Sequence, residues 1–416
     1  MKYATAYDIG DRKRSDDGIN EDSIHVVVFE DGHREGYERP QSPHATDPTE
    51  PSAIDNSAGS DGVTVHGPGD EPTTAGGGVD SETKVFPSDK EPVDDRNRKA
   101  GIFVLADGAG GEESGDIASY IATVKIAQEL STFLQGSLLA RPEEFDLDMD
   151  VKGTPLAFDE PRSDETFETA LEDAIASANE AIVAYANADN IGGLYATVVA
   201  GVYVGNQLHY GWVGDSRIYV INRSHEEIAP LTKDHAKITR LEDEGEIGEV
   251  EAHVHPDGNE IDRALGGGAS DDPERSRERT YQMVETNTIP IYNDDTVLLT
   301  SDGLIDAQTE YRDLYRKYIG SGRSDDIAEE ILEKVVTDDL IRDVVLEAES
   351  LQAAANEYVR LSNEKGGKDN ISVVLFGDHG LPDSPPSGES GLPERSIDPD
   401  QKVEERQTII RDADSA

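Results

Sequence analysis

Acidic side chains are abundant throughout this sequence, so only their positions carry information. Asp-Gly dipeptides begin at 17, 31, 61, 107, 257 and 302. Such a pair ordinarily marks a turn in which glycine supplies positive φ. That reading suffices at 17, 31, 61 and 257, which lie in polar stretches. Asp107 and Asp302 differ, because each closes an apolar run: Ile102-Phe103-Val104-Leu105-Ala106 and Val297-Leu298-Leu299-Thr300-Ser301. Glu21-Asp22 directly precedes a β-branched run, and Asp369-Asn370 directly precedes another. A carboxylate at the mouth of a buried strand is rigidly held and partly desolvated, the usual place for a site on a sheet scaffold. Gathered together, these charges repel by about 4 kcal/mol per pair at roughly 4 Å and an effective dielectric near 20. A divalent cation reverses that sign. All-oxygen ligation suits Mg²⁺ or Mn²⁺ rather than zinc. Two such ions about 4 Å apart can share a water, lower its pKa and clamp a phosphoryl group. Separate turn and cap chemistry at each position is the other reading open at this point.

The elements that must position these residues are read from apolar spacing. A polar, turn-rich stretch over 8–20 leads into a strand over 23–29. Ile102 to Ala106 reads as a buried strand. The spacing of Ile117, Ile121, Val124, Ile126 and Leu130 predicts a helix over 114–135, and Phe167, Leu171, Ile175, Ala178, Ile182 and Tyr185 predict another over 166–188. Strands follow over 196–204, 207–213, 217–222 and 296–300; helices fill 325–362, and a last strand covers 371–376. Strands in meander order with segregated helices argue for α+β rather than a doubly wound parallel sheet. Residues 31–99 are dominated by Pro, Gly, Ser, Thr and Asp, and cannot bury enough surface to offset their ordering entropy. They are read as a disordered insertion, with a shorter polar insertion at about 138–165. Residues 378–416 are read as a disordered acidic tail. A single domain over 1–377 thus carries both insertions.

Of the 416 residues, 35% are apolar, and 88 acidic against 37 basic side chains give a net charge of −51. Such self-repulsion destabilises a compact chain unless salt screens it, and at molar ionic strength the Debye length falls to about 3 Å. The excess also runs through segments that look folded, including Glu242, Asp243, Glu244, Glu246 and Glu249. We therefore read it as adaptation to multimolar salt rather than as the mark of acidic tails alone. The acidity opposes nucleic acid and anionic membranes as partners. There is no cysteine, which excludes disulfides, thiolate zinc sites and cysteine-nucleophile phosphatases. No apolar run approaches the ~20 residues of a membrane helix, and Met1-Lys2-Tyr3-Ala4 opens no apolar signal core. The expected location is the cytoplasm.

The motifs, taken in order, resemble the PP2C (PPM) family of metal-dependent protein serine/threonine phosphatases over most of residues 1–377. They are Asn20-Glu21-Asp22, Leu105-Ala106-Asp107-Gly108-Ala109-Gly110-Gly111, Gly214-Asp215-Ser216-Arg217, Leu231-Thr232-Lys233-Asp234-His235 with Val254-His255-Pro256 and Arg263-Ala264-Leu265-Gly266-Gly267, Thr300-Ser301-Asp302-Gly303, and Lys368-Asp369-Asn370. The resemblance, together with the charge, points to a halophilic archaeon. It implies an α-β-β-α sandwich of two antiparallel central sheets flanked by helices, with a site at one end. It implies two Mn²⁺ or Mg²⁺ ions. Asp107 would bridge them, with the Gly108 carbonyl as a further ligand. Asp302 and Asp369 would hold one ion, Glu21 would hold the other partly through water, and Asp22 would lend support. A metal-bridging hydroxide would attack phosphoserine or phosphothreonine in line. Asp215 would serve a third, weaker metal; a plain hairpin turn is the equal alternative. The implied partners are phosphorylated protein substrates and a cognate Ser/Thr kinase.

Three departures stand out. The family's phosphate-gripping Arg, four residues before the motif's Glu, is replaced by Asp17, and Arg14 upstream is the expected substitute. The residue after Asp107-Gly108 is Ala109, where family members with His have a candidate general acid. The insertion over 31–99 is unusual. The first two leave open a catalytically weak, phosphoprotein-binding module on the same fold. A phosphoesterase acting on small molecules would share the chemistry. His253 and His255 as a zinc pair, Gly266-Gly267-Gly268 as a phosphate loop and Trp212 as a stacking platform are set aside. For the glycines no Lys-Ser/Thr follows.

Overall fold

The computed structural model of the chain describes residues 1–16, 18–30, 33–38, 100–109, 115–139 and 167–385. In chain order the strands are β1 (Lys2–Asp8), β2 (Ser23–Glu30), β3 (His33–Glu38), β4 (Ala100–Ala106), β5 (Gly108–Ala109), β6 (Leu194–Ala196), β7 (Val198–Val204), β8 (Gln207–Val213), β9 (Arg217–Asn222), β10 (Glu227–Pro230), β11 (Leu265–Gly267), β12 (Glu285–Pro290), β13 (Asp295–Thr300) and β14 (Ile371–Gly377). The helices are α1 (Asp11–Ser15), α2 (Gly115–Leu139), α3 (Phe167–Asp189), α4 (Lys237–Asp243), α5 (Glu249–Ala252), α6 (Pro273–Thr280), α7 (Tyr311–Gly320), α8 (Asp325–Lys334), α9 (Asp338–Glu347) and α10 (Leu351–Lys365).

Two main sheets form, one of five strands ordered β1-β14-β13-β9-β10 and one of six ordered β12-β8-β7-β4-β2-β3; β11, β6 and β5 make a small third sheet. Their strand pairs are antiparallel.

The two-residue period of the strands explains the layering. In β4, Ile102 and Val104 pack with Ala118, Ile126, Leu171 and Ile175 of α2 and α3. The alternate residues Phe103 and Leu105 meet Val297, Leu299, Val374 and Phe376 of the other sheet. In β13 and β14, Leu298, Val373 and Leu375 turn outward onto Ile341, Ala354 and Tyr358 of α9 and α10. Each central strand is therefore covered on both faces, which is why β4 and β14 read as unbroken apolar runs. The order of layers is helix, sheet, sheet, helix. Phe103 and Phe376 stack across the middle with ring centroids 4.1 Å apart, a pairing worth about 0.5–1.5 kcal/mol beyond its buried area.

Several expectations need adjustment. The polar start 8–20 contains the short helix α1, and β1, β12 and α7 were not anticipated. The strand expected over 196–204 breaks at Thr197, whose N–H turns to the Asp107 carbonyl at 2.8 Å. Residues 33–38, inside the stretch read as a disordered insertion, form β3 beside β2; 39–99 lie outside the described residues, as do 140–166. The tail reading from 378 is corrected at its start. Asp378 accepts the Tyr203 hydroxyl at 3.0 Å, and Leu381 is buried with the intersheet core, which pins the chain through this point. Residues 386–416 lie outside the described residues. Among the described residues no helix is long and apolar enough to cross a membrane.

Candidate metal centre

Register brings the strand ends together. Ser23 of β2 pairs with Ala106 of β4, so Asp22 and Asp107 leave the same end of one sheet. In the other sheet Thr300 faces both Val373 and Arg217, and Ile371 faces Asp8. Asp215, Asp302 and Asp369 therefore flank the matching end there. A hydrogen bond joins the two ends, from Ser301 Oγ to Asp22 Oδ2 at 2.8 Å. Ser301 is oriented in turn by the Ser372 N–H at 3.0 Å.

The two Asp-Gly pairs at the apolar run ends are not positive-φ turns, since neither Gly108 nor Gly303 has a positive φ. They are close approaches. A Cβ on Gly303 would stand 1.9 Å from the Asn370 carbonyl oxygen, and one on Gly108 would stand 2.0 Å from that of Gly115. These contacts hold Asp302 against Asp369-Asn370, and Asp107 against the start of α2. A Cβ on Gly115 would meet both Glu21 Oε1, at 2.5 Å, and the Gly108 carbonyl, at 2.8 Å, so these two oxygens share one small space.

The electrostatics are those of crowded, dry carboxylates. Burial pushes the pKa of Asp107 well up, and Asp22, Asp302, Asp369 and Asp215 raise it further. Burial does the same to Asp302, aided by Asp215, Asp369 and Asp306. Asp22 is pushed up to about 6, chiefly by burial and against the hydrogen bonds of Ser372 and Ser301. Asp215 rises to about 7, again chiefly by burial, with Asp234 and Asp306 adding. Asp22 Oδ1, Asp215 Oδ1 and Asp302 Oδ1 are buried without a hydrogen-bond partner. Unpaired buried carboxylate oxygens are costly, and a set of them at one end of the sandwich fits the chemistry of a hard cation with oxygen ligands. Among the described residues, no three His, Asp or Glu side chains are closed up into a finished cage.

Lys13 provides one reason. Its Nζ donates to Glu21 Oε2 at 2.8 Å, Asp369 Oδ1 at 2.7 Å and Asn370 Oδ1 at 2.8 Å. Glu21 and Asp369 are thus two hydrogen-bond lengths apart at most, with an ammonium between them. Asn370 ties the loop down, donating to the carbonyls of Ile9 and Ile19 and accepting the Glu21 N–H. Arg14, the expected phosphate ligand, lies on another face of α1. It donates to both Asp8 oxygens at 2.6 Å and to Asp11 at 2.8 Å.

Glu21, Asp22, Asp107, Gly108, Asp215, Asp302 and Asp369 therefore all lie at one end of the sandwich. Lys13 and Asp306 were missed. Asp306 was findable: it lies four residues after Asp302, and its N–H closes a turn on the Asp302 carbonyl at 2.8 Å. The segment over 231–267 is anchored by Arg217, whose Nε and Nη2 donate to Asp234 at 2.9 and 2.7 Å. His235 Nε2 lies 3.0 Å from Glu285. Trp212 is buried and stacks on His235, as a core residue would. His255 packs edge-on against Tyr315 at 5.1 Å.

A family model described as protein phosphatase 2C matches residues 89–337. The serine/threonine phosphatase stp of Listeria innocua is 28% identical over 288 residues, which is 69% of this chain and 88% of that protein. The serine/threonine protein phosphatase PstP of Mycobacterium tuberculosis is 28% identical over 277 residues, 66% of this chain and 40% of that protein. Among solved structures, the M. tuberculosis phosphatase PstP/Ppp aligns at 21% identity over 90% of this chain and 97% of its own, with a TM-score of 0.49. The catalytic domain of PstP in complex with two manganese ions aligns at 20% identity over 90% and 96%, with a TM-score of 0.48.

Proposed function

Since the chain belongs to the protein phosphatase 2C family, we propose that it is a metal-dependent enzyme that hydrolyses phosphoserine and phosphothreonine in proteins. The observation that carries this reading is the set of buried, unpartnered oxygens on Asp22, Asp215 and Asp302 around a strongly perturbed Asp107. Asp107, with the Gly108 carbonyl, would stand between two Mn²⁺ or Mg²⁺ ions. Asp302 and Asp369 would hold one, Glu21 the other, and Asp215 a third, weaker one. Asp22 would support them from the Ser301 hydrogen bond. When bound, such ions would supply a Lewis acid for the phosphoryl oxygens and an acidified water. The protein's own contribution is position: strand ends and glycine contacts that hold the carboxylates apart from bulk water. Arg14 would have to exchange Asp8 and Asp11 for phosphoryl oxygens to bind substrate.

The substrates would be phosphoproteins, with a Ser/Thr kinase as the opposing enzyme in a signalling pair. The setting would be the cytoplasm of a halophilic archaeon, with no nucleic acid or membrane partner for a chain of net charge −51. The test is p-nitrophenyl phosphate and phosphopeptide hydrolysis at high salt with and without Mn²⁺. Mn²⁺-dependent turnover is expected, with a fall of at least roughly 10²-fold in Asp107→Asn. Turnover without divalent metal, or undiminished turnover in that variant, would count decisively against the reading.

A further inference from the structure

Among the described residues, Lys13 is the cation that bonds directly to both Glu21 and Asp369; Lys368 stands at the other side of the cluster, 3.7 Å from Asp306. An ammonium has three protons to donate, and Glu21, Asp369 and Asn370 take one each at 2.7–2.8 Å. Burial opposes its charge, but Asp369 and Glu21 more than reverse this and raise its pKa.

The backbone that carries Lys13 is pinned. Arg12 N–H donates to the Gly367 carbonyl at 2.9 Å, and Asp11 N–H to Asn363 Oδ1 at 2.8 Å. A Cβ on Gly10 would stand 2.2 Å from the Asp369 carbonyl, so the loop sits directly on the start of β14. What remains free is the four-carbon stem of the lysine, an adaptable tether for a point charge.

We propose that Lys13 is a tethered internal cation that competes with divalent metal for Glu21 and Asp369. This rests on the metal-site reading above. Without metal, the ammonium neutralises two carboxylates that would otherwise repel and splay. With metal, Asp369 would serve one ion and Glu21 the other, and Lys13 would leave because like charges at such distances repel strongly. Loading therefore includes the work of displacing Lys13, and the apparent metal affinity is weaker than the carboxylate set alone would give. The metal-free protein keeps a closed site instead of a gaping one.

Lys13→Met keeps the stem and removes the charge, whereas Lys13→Arg keeps the charge. Mn²⁺ binding is measured by titration calorimetry at fixed high salt, and thermal unfolding is recorded with and without Mn²⁺. Lys13→Met is expected to bind Mn²⁺ at least about tenfold more tightly than wild type. It is also expected to unfold at lower temperature without metal and to gain more from Mn²⁺, while Lys13→Arg stays near wild type. Equal or weaker Mn²⁺ binding in Lys13→Met overturns the proposal and leaves the metal-site reading standing. No Mn²⁺ binding by folded wild type overturns both. Should Lys13→Met not fold without metal, Lys13→Gln is titrated in its place and must show the same tightening.

Discussion

Adding one methyl group at Gly303 tests whether the site is set by backbone contact. The Cβ of an alanine there would lie 1.9 Å from the Asn370 carbonyl oxygen, where real contacts essentially never fall below 3.0 Å. The two segments must part by about 1 Å, and both carry candidate ligands, Asp302 on one and Asp369 on the other. Displacement of that size at a catalytic constellation costs on the order of 10²-fold in rate. The overpacking itself costs about 1–3 kcal/mol of stability. Backbone strain contributes nothing, because Gly303 does not use a positive φ. Gly248→Ala is the control, since its Cβ meets nothing within 4 Å and its φ is −106°. The assay is Mn²⁺-dependent p-nitrophenyl phosphate hydrolysis at saturating metal, with thermal unfolding run alongside. Gly303→Ala is expected to stay folded, lose about 10² in turnover and need more Mn²⁺, while Gly248→Ala matches wild type. If Gly303→Ala keeps turnover within about threefold of wild type, the close contact does not position the carboxylates and the steric argument fails.

The half-buried His209, stacked on Phe167 and 2.7 Å from Thr288 Oγ1, has its pKa lowered by burial from 6.5 to about 4. Its folded pKa lies below the unfolded one, so its stabilising neutrality is fully present above about pH 6.5 and is lost as pH falls toward 4. At 1.36 kcal/mol per pH unit this amounts to at most about 3 kcal/mol, and His209→Gln should flatten the acid limb of unfolding midpoint against pH; an unchanged slope refutes the assignment. Salt dependence tests the charge reading: with a net charge of −51, cooperative thermal unfolding is expected to disappear below about molar KCl, as the Debye length grows from about 3 Å toward 10 Å. A melting temperature at 0.1 M equal to that at high salt would remove the halophilic interpretation.

The layered fold was legible because its central strands are covered on both faces, so Ile102-Phe103-Val104-Leu105-Ala106 shows as an unbroken apolar run. The helices α2 and α3 were legible for a related reason, their apolar residues repeating at helical spacing over more than twenty residues. The edge elements were not. In β1 only Ala4 is buried, and β12 is Glu-Thr-Asn-Thr-Ile-Pro, whose polar residues are matched by β8, where Asn287 donates to the Tyr210 hydroxyl and Thr288 meets His209. Such strands take their state from the partner they dock on, which local sequence does not contain. The segment 378–385 was misjudged similarly, since composition averages over a tail and hides one anchoring residue such as Leu381.

At the site, types and chain positions were readable because a carboxylate ending an apolar run is unusual whatever the fold. What was not readable is direction. Arg12, Lys13 and Arg14 are consecutive and basic, and in a loop any of them could reach the carboxylates. Once 11–15 becomes a helical turn, neighbouring side chains diverge by about 100°, so only one can face Glu21 and Asp369. Asn370 fixes which one, because its amide donates to the carbonyls of Ile9 and Ile19 on either side of the helix and sets its rotation. That choice joins residues some 350 positions apart in the chain. It puts the flexible ammonium rather than the planar guanidinium among the carboxylates, and a point charge on a long stem is the cation that a divalent ion can displace without moving the backbone.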